Sequence, residues 1–286
     1  MKIIDILKTD RITLSFEVFP PKTEDKMDVV IKATEEIARL SPDFMSVTYG
    51  AGGGTSEYTA EIADRVQREM EVPMLAHLTC VSSSREHVKK MIGIYKERGI
   101  ENIMALRGDI PKDGTTVHDY KYATDLIADI KDGGDFCIGG ACYPEGHPEA
   151  ESRAADLKNL KRKVDAGVDF LTTQMFFDNE EFFDFMYRLR EADIQVPVLA
   201  GIMPITNAKM MKRSIEMSGT KTPRRFLQII DFFEDRPDAL RQAGIIYATE
   251  QIIDLIAHGV KNIHVYSMNK PDVARDIQNN LSEIIK

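Results

Sequence analysis

The chain of 286 residues has few cysteines, no excess of basic charge and no long apolar run. Its three cysteines, Cys80, Cys137 and Cys142, form no Cys-x-x-Cys pair. An odd count at such spacing excludes a disulfide framework and fits reduced thiols in the cytoplasm. The six histidines show no His-Glu-x-x-His pattern, so neither structural nor catalytic zinc is expected. Lys plus Arg total 37 against 46 Asp plus Glu, a net charge of −9 with no local basic block. That balance argues against a nucleic-acid partner, which needs a basic face to neutralise phosphates. No apolar stretch approaches a membrane span, and the charged opening Met1–Asp10 does not fit a signal peptide, so a cytoplasmic, non-membrane protein is expected. No Pro/Gly/Ser-rich linker or low-complexity segment divides the chain. One domain over residues 1–286 is therefore expected, within the size range of a large α/β barrel.

What is present is a repeat. Short apolar, β-branched runs occupy residues 14–19, 44–48, 74–79, 103–107, 136–142, 170–175, 196–202 and 263–266, each bounded by Gly, Pro or Asp. Amphipathic stretches separate them, such as Val29-Ile31-Ala33-Ile37-Leu40 and Leu157-Leu160-Val164, and Gly99 and Gly167 supply helix stops. Eight strands alternating with helices, mostly about thirty residues apart, predict an α/β fold of the eight-stranded (β/α)8 TIM-barrel type. The last interval is longer and holds extra helical sequence around Arg224–Phe233 and Leu240–Ala257. A doubly wound open sheet is the alternative.

In such a barrel, chemistry gathers at the C-terminal ends of the strands. Unusual polar residues stand at those points: Glu17 among apolar neighbours, Thr48 before the Gly-rich turn Gly50–Gly54, His77, then Arg107-Gly108-Asp109. Tyr143 through Glu149 follow strand five, and Thr172-Thr173-Gln174 end strand six. Desolvation of Glu17 predicts a raised pKa, suited to a general acid. His77 reads either as a satisfied core histidine or as a ligand contact, and His147, after a Pro-rich turn, as a contact candidate. The Gly-rich turn lacks the Gly-Lys-Ser/Thr ending of a P-loop and reads as a flexible turn. Asp156, Asn159 and Lys163 recur on one helix face, with Arg162 at its border. That face is either plain solvated charge or, near a barrel mouth, a site where Arg162 and Lys163 meet an anion while Asp156 and Asn159 bond a polyol.

The ordered set Ser-Phe-Glu-Val-Phe-Pro-Pro, Ser-Val-Thr-Tyr-Gly-Ala, His-Leu-Thr-Cys, Ala-Leu-Arg-Gly-Asp, Tyr-Pro-Glu-Gly-His-Pro-Glu-Ala and Asn-Leu-Lys-Arg-Lys-Val-Asp-Ala-Gly resembles the methylenetetrahydrofolate reductases. Thr-Gln-Met-Phe-Phe-Asp, Gly-Ile-Met-Pro-Ile-Thr-Asn and Ile-His-Val-Tyr-Ser-Met-Asn-Lys extend the match to about residue 270. The resemblance implies a catalytic barrel alone, without the C-terminal regulatory domain of longer eukaryotic members. It implies FAD as cofactor and reduction of 5,10-methylenetetrahydrofolate to 5-methyltetrahydrofolate by two half-reactions, serving one-carbon metabolism and methionine biosynthesis.

By that resemblance Thr48, His77, Arg107, Gly108, Asp109, Tyr143, His147, Asp156, Asn159, Arg162 and Lys163 contact FAD, with Tyr122 and Ala123 in the same groove. Glu17 is the implied general acid, Asp109 bonds the pterin and tunes the flavin, and Gln174 orients the folate. Two positions depart from the family pattern: Ala208 replaces a Phe that stacks on ligand rings, and Lys270 replaces an Arg that meets the folate glutamate tail. NADH is the expected donor, with electron delivery by a partner subunit or ferredoxin as the alternative, and a homo-oligomer is expected.

Overall fold

A computed structural model describes residues 1–50, 56–110 and 116–286. Its strands are β1 (Thr13–Val18), β2 (Met45–Val47), β3 (Met74–Thr79), β4 (Asn102–Leu106), β5 (Cys137–Cys142), β6 (Phe170–Thr173), β7 (Val198–Ile202) and β8 (Asn262–Tyr266). All pair in parallel, in sequence order, and β8 closes on β1 through Thr13↔Asn262 to Glu17↔Tyr266. That closure makes the fold a (β/α)8 TIM barrel and excludes the open doubly wound sheet.

Alternation along each strand sorts the side chains. Leu14, Phe16 and Val18 face outward into the main core between barrel and helices. The opposite parity points inward, and its apolar residues gather toward the bottom. There Phe44, Leu75, Met104, Cys137, Phe170 and Leu199 form a separate cluster with Ile3, Ile6 and Leu7 of α1 (Ile3–Leu7). This short helix plugs the barrel floor, and Asn102 fixes it. Its Oδ1 accepts from the Ile3 N–H at 2.7 Å, while its amide donates to the Met1 and Met74 carbonyls at 3.1 and 3.2 Å. A β-carbon on Gly139 would lie 2.7 Å from the Phe170 ring, so the glycine makes room for that ring inside the barrel.

The helix stops lie where expected: Gly99 and Gly167 have positive φ of 67° and 115°. Between β7 and β8 stand α8 (Ala208–Ser218), α9 (Arg224–Phe233) and α10 (Pro237–Ala257). Among the described residues, no helix is long and apolar enough to cross a membrane. Cys80, Cys137 and Cys142 are all buried and unpaired, and burial pushes the Cys80 and Cys137 thiols up to about 12.

Candidate active site

Above the apolar floor the inward positions turn polar and open into a cavity of about 700 Å³ at the C-terminal ends of the strands. Its wall takes alternate residues from the strands, including Glu17, Leu75, His77, Met104, Ala141, Thr172, His264 and Tyr266. Thr48, Arg107, Gly108, Asp109, Tyr122, Ala123, Tyr143, His147, Asp156, Asn159, Arg162, Lys163 and Gln174 line the same space. Residues 51–55 of the Gly-rich turn lie outside the described residues.

At the base, Glu17 is surrounded by three strands. The Ser46 hydroxyl donates to its Oε2 at 3.1 Å, His77 Nε2 lies 3.4 Å away and His264 Nε2 3.7 Å away. His264 Nδ1 meets Ser15 Oγ at 2.8 Å, which fixes the ring. Burial alone would raise the pKa of Glu17, but His264, His77 and the Ser46 hydroxyl outweigh it, so its carboxyl sits below the ordinary value. This corrects the expectation of a raised pKa, which counted desolvation and not the two imidazoles. Burial in turn pushes His77 down. His77 Nε2 and Thr172 Oγ1, both on the cavity wall, are buried without a hydrogen-bond partner among the described residues.

The cationic side of the mouth comes from β4 and α6 (Arg153–Asp165). Ser152 caps α6 by accepting from the Ala155 N–H. Lys163 is partly buried along the cavity wall and donates to the Ala141 carbonyl at 2.7 Å. A β-carbon on Gly140 would stand 3.2 Å from the Lys163 stem, so that glycine lets the lysine lie across β5. Burial lowers the Lys163 pKa. Lys163 thus belongs to the wall of the site and not to a freely solvated face. Asp156 Oδ2 accepts from the His147 N–H at 3.2 Å, and Arg162 Nη1 donates to Asn159 Oδ1 at 3.3 Å. Arg107 forms a two-pronged pair with Glu149, 2.6 and 2.9 Å, and its Nε donates to the Gly108 carbonyl. Next to β5, after β6, the Gln174 side-chain carbonyl accepts from the Met175 N–H, and among the described residues its side-chain amide makes no hydrogen bond.

Two positions stand elsewhere. Lys270 donates to Thr206 Oγ1 at 2.7 Å and does not line this cavity. Ala208 is 6 % exposed, in a cluster with Met175, Phe177, Ile205 and Phe226, and does not line this cavity. Sequence reasoning passed over Ser15, Ser46, His264 and Tyr266. The period-two pattern of β1 already put Ser15 on the face of Glu17, but bringing in His264 required the β1–β8 closure.

A closed barrel with a buried carboxylate–imidazole cluster beneath a cation-lined mouth defines an enzyme of the TIM-barrel class. The family model described as methylenetetrahydrofolate reductase matches residues 2–282. A 5,10-methylenetetrahydrofolate reductase of Pectobacterium carotovorum subsp. carotovorum is 37 % identical over 92 % of this chain and 88 % of its own. The protein of that name from Escherichia coli (strain K12) is 36 % identical over the same shares. Methylenetetrahydrofolate reductase (NADH) 1 of Zea mays is 37 % identical over 99 % of this chain, which spans 50 % of the maize protein. The chain belongs to the methylenetetrahydrofolate reductase family, and it is an oxidoreductase. Fold similarity reaches further, to a Clostridium thermocellum protein described as binding two copies of 5-methyl-5,6,7,8-tetrahydrofolic acid, at TM-score 0.63, 15 % identity and 99 % coverage of both chains.

Proposed function

We propose that the cavity binds FAD and that the chain uses it to reduce 5,10-methylenetetrahydrofolate to 5-methyltetrahydrofolate, with NADH as the donor. The observation that carries this reading is the convergence on one cavity of Arg107, Arg162 and Lys163, of Asp156 and Asn159, and of Glu17 at its base. The residues fit the cofactor. Among the described residues the Lys163 ammonium bonds the Ala141 carbonyl and has no carboxylate within 4.0 Å, so this cation suits an anionic partner such as a diphosphate. Leu75, Met104 and Leu106 offer apolar surface to a ring system, and Thr172 Oγ1, buried without a hydrogen-bond partner among the described residues, lines the same space.

When bound, FAD supplies the hydride chemistry, and the protein supplies binding, orientation and electrostatics. Arg107, Arg162 and Lys163 hold the diphosphate, while Asp156 and Asn159 bond hydroxyls. Thr48, His77, Gly108, Asp109, Tyr122, Ala123, Tyr143 and His147 complete the walls. Gln174 presents its amide to the folate, and Asp109 sets a negative charge beside the pterin. Glu17 passes a proton to the folate nitrogen that leaves as the methylene bridge opens. The lowered pKa favours the charged carboxylate of Glu17 in the ligand-free protein, so Glu17 must take up a proton before it acts as the acid. NADH is named in the plant relatives.

The absorption spectrum of the purified protein tests the cofactor. A flavin band that bleaches with NADH and returns with methylenetetrahydrofolate supports the whole reading. Bleaching only after a reductase or ferredoxin is added supports electron delivery by a partner. A protein that neither carries nor takes up FAD refutes the cofactor.

A further inference from the structure

Arg107 stands at the end of β4 and Glu149 in the loop between β5 and α6, so their pair ties two sides of the cavity mouth together. A guanidinium has five N–H groups. Two go to the Glu149 carboxylate and the Nε–H to the Gly108 carbonyl, leaving one on each terminal nitrogen. Glu149 is itself anchored: its N–H donates to His147 Nδ1 at 3.1 Å, and the His147 N–H donates to Asp156 at 3.2 Å. A polar chain thus runs from α6 through His147 and Glu149 to Arg107. Burial keeps His147 below its ordinary pKa, which suits the unprotonated Nδ1 that this chain requires. Lys163 lines the same cavity, and the two cations repel one another. Without Glu149, both that repulsion and side-chain entropy favour an Arg107 turned out toward water.

We propose that Glu149 is a positioning residue for the cofactor site: its carboxylate locks the Arg107 guanidinium on the cavity wall, so that the two remaining N–H groups meet the anionic part of FAD. The proposal rests on the FAD reading above. Glu149 stays on Arg107 when the cofactor is bound and does not merely occupy its place. Both residues line the cavity, and at 55 % exposure against 27 % for Arg107 the Glu149 side chain lies nearer the solvent at its mouth.

The test is a fluorescence-quenching titration of FAD with the flavin-free full chain, for wild type, Glu149→Gln, Arg107→Ala and the double variant. Glu149→Gln is expected to raise Kd about tenfold, the worth of one charge-assisted hydrogen bond. In the Arg107→Ala background the same change is expected to alter Kd by less than about twofold, because its effect passes through the arginine. Thermal melting of the four proteins confirms folding. Binding by Glu149→Gln as tight as wild type, or tighter, would overturn the proposal. So would an equal loss in both backgrounds, which would mark a structural role independent of Arg107. Wild-type protein that leaves FAD unquenched defeats the cofactor reading itself, whereas wild-type binding with an unchanged Glu149→Gln defeats only the role of Glu149.

Discussion

Replacing Lys163 by Met separates binding from folding. Among the described residues the ammonium makes one hydrogen bond, to the Ala141 carbonyl at 2.7 Å, and burial lowers its pKa. Removing it leaves that carbonyl unpaired, at a cost of about 1–3 kcal/mol. The loss is offset because a partly buried cation without a counter-ion no longer has to be desolvated, and methionine refills the space of the stem. The two effects nearly cancel in the flavin-free protein, so its unfolding free energy is expected to stay within about 1 kcal/mol of wild type. FAD affinity has no such offset. Losing a charge-assisted bond worth about 1.5–3 kcal/mol weakens it roughly 10- to 150-fold.

Linkage gives a second signature of Lys163. A lysine whose folded pKa is depressed binds fewer protons folded than unfolded as pH approaches that value, so stability rises with pH there. Wild-type flavin-free protein should therefore gain stability relative to Lys163→Met as pH rises toward the ordinary lysine value of about 10.4, while its FAD affinity falls over the same rise as the ammonium deprotonates. Urea unfolding and FAD titration measure both. An unchanged FAD affinity in Lys163→Met would refute the assignment of Lys163 to the cofactor.

Two further changes probe the scaffold. Asn102→Ala strips three hydrogen bonds from the buried floor around α1, at a cost of roughly 3 kcal/mol. Calorimetry should show a fall in Tm of several degrees, and an unchanged Tm would mean that the plug is not coupled to the barrel. Ala208→Phe inserts a ring among Met175, Phe177 and Phe226, so overpacking should cost about 1–3 kcal/mol with no gain in flavin bleaching by NADH. Faster bleaching in that variant would return position 208 to the donor site.

The barrel was legible because the strands are short apolar runs and two of the helices end on a glycine stop; Gly99 and Gly167 took the positive φ that their positions required. The extra helices in the long last interval were legible for the same reason, Arg224–Phe233 matching α9 residue for residue. Side-chain neighbourhoods across the closure were not. Nothing local to Asn-Ile-His-Val-Tyr says that His264 comes to rest 3.7 Å from Glu17, because that contact depends on a pairing 249 residues apart in sequence. The pKa of Glu17 was misjudged for that reason. The α1 plug was missed because five residues carry too little periodicity to read. The packing of Ala208 was not legible either, because a helix-start residue can face the cavity or the core, and here it joins Phe177 and Phe226.

The central claim is that Glu17 delivers the proton for folate reduction at the base of a flavin-holding cavity, and anaerobic stopped-flow of Glu17→Gln tests it most directly. The amide keeps the shape of the side chain but holds no transferable proton. Flavin bleaching by NADH should proceed at close to the wild-type rate, while its return with methylenetetrahydrofolate slows by about 10²- to 10⁴-fold, the usual worth of general acid–base assistance. Reoxidation within a few-fold of wild type would contradict the account.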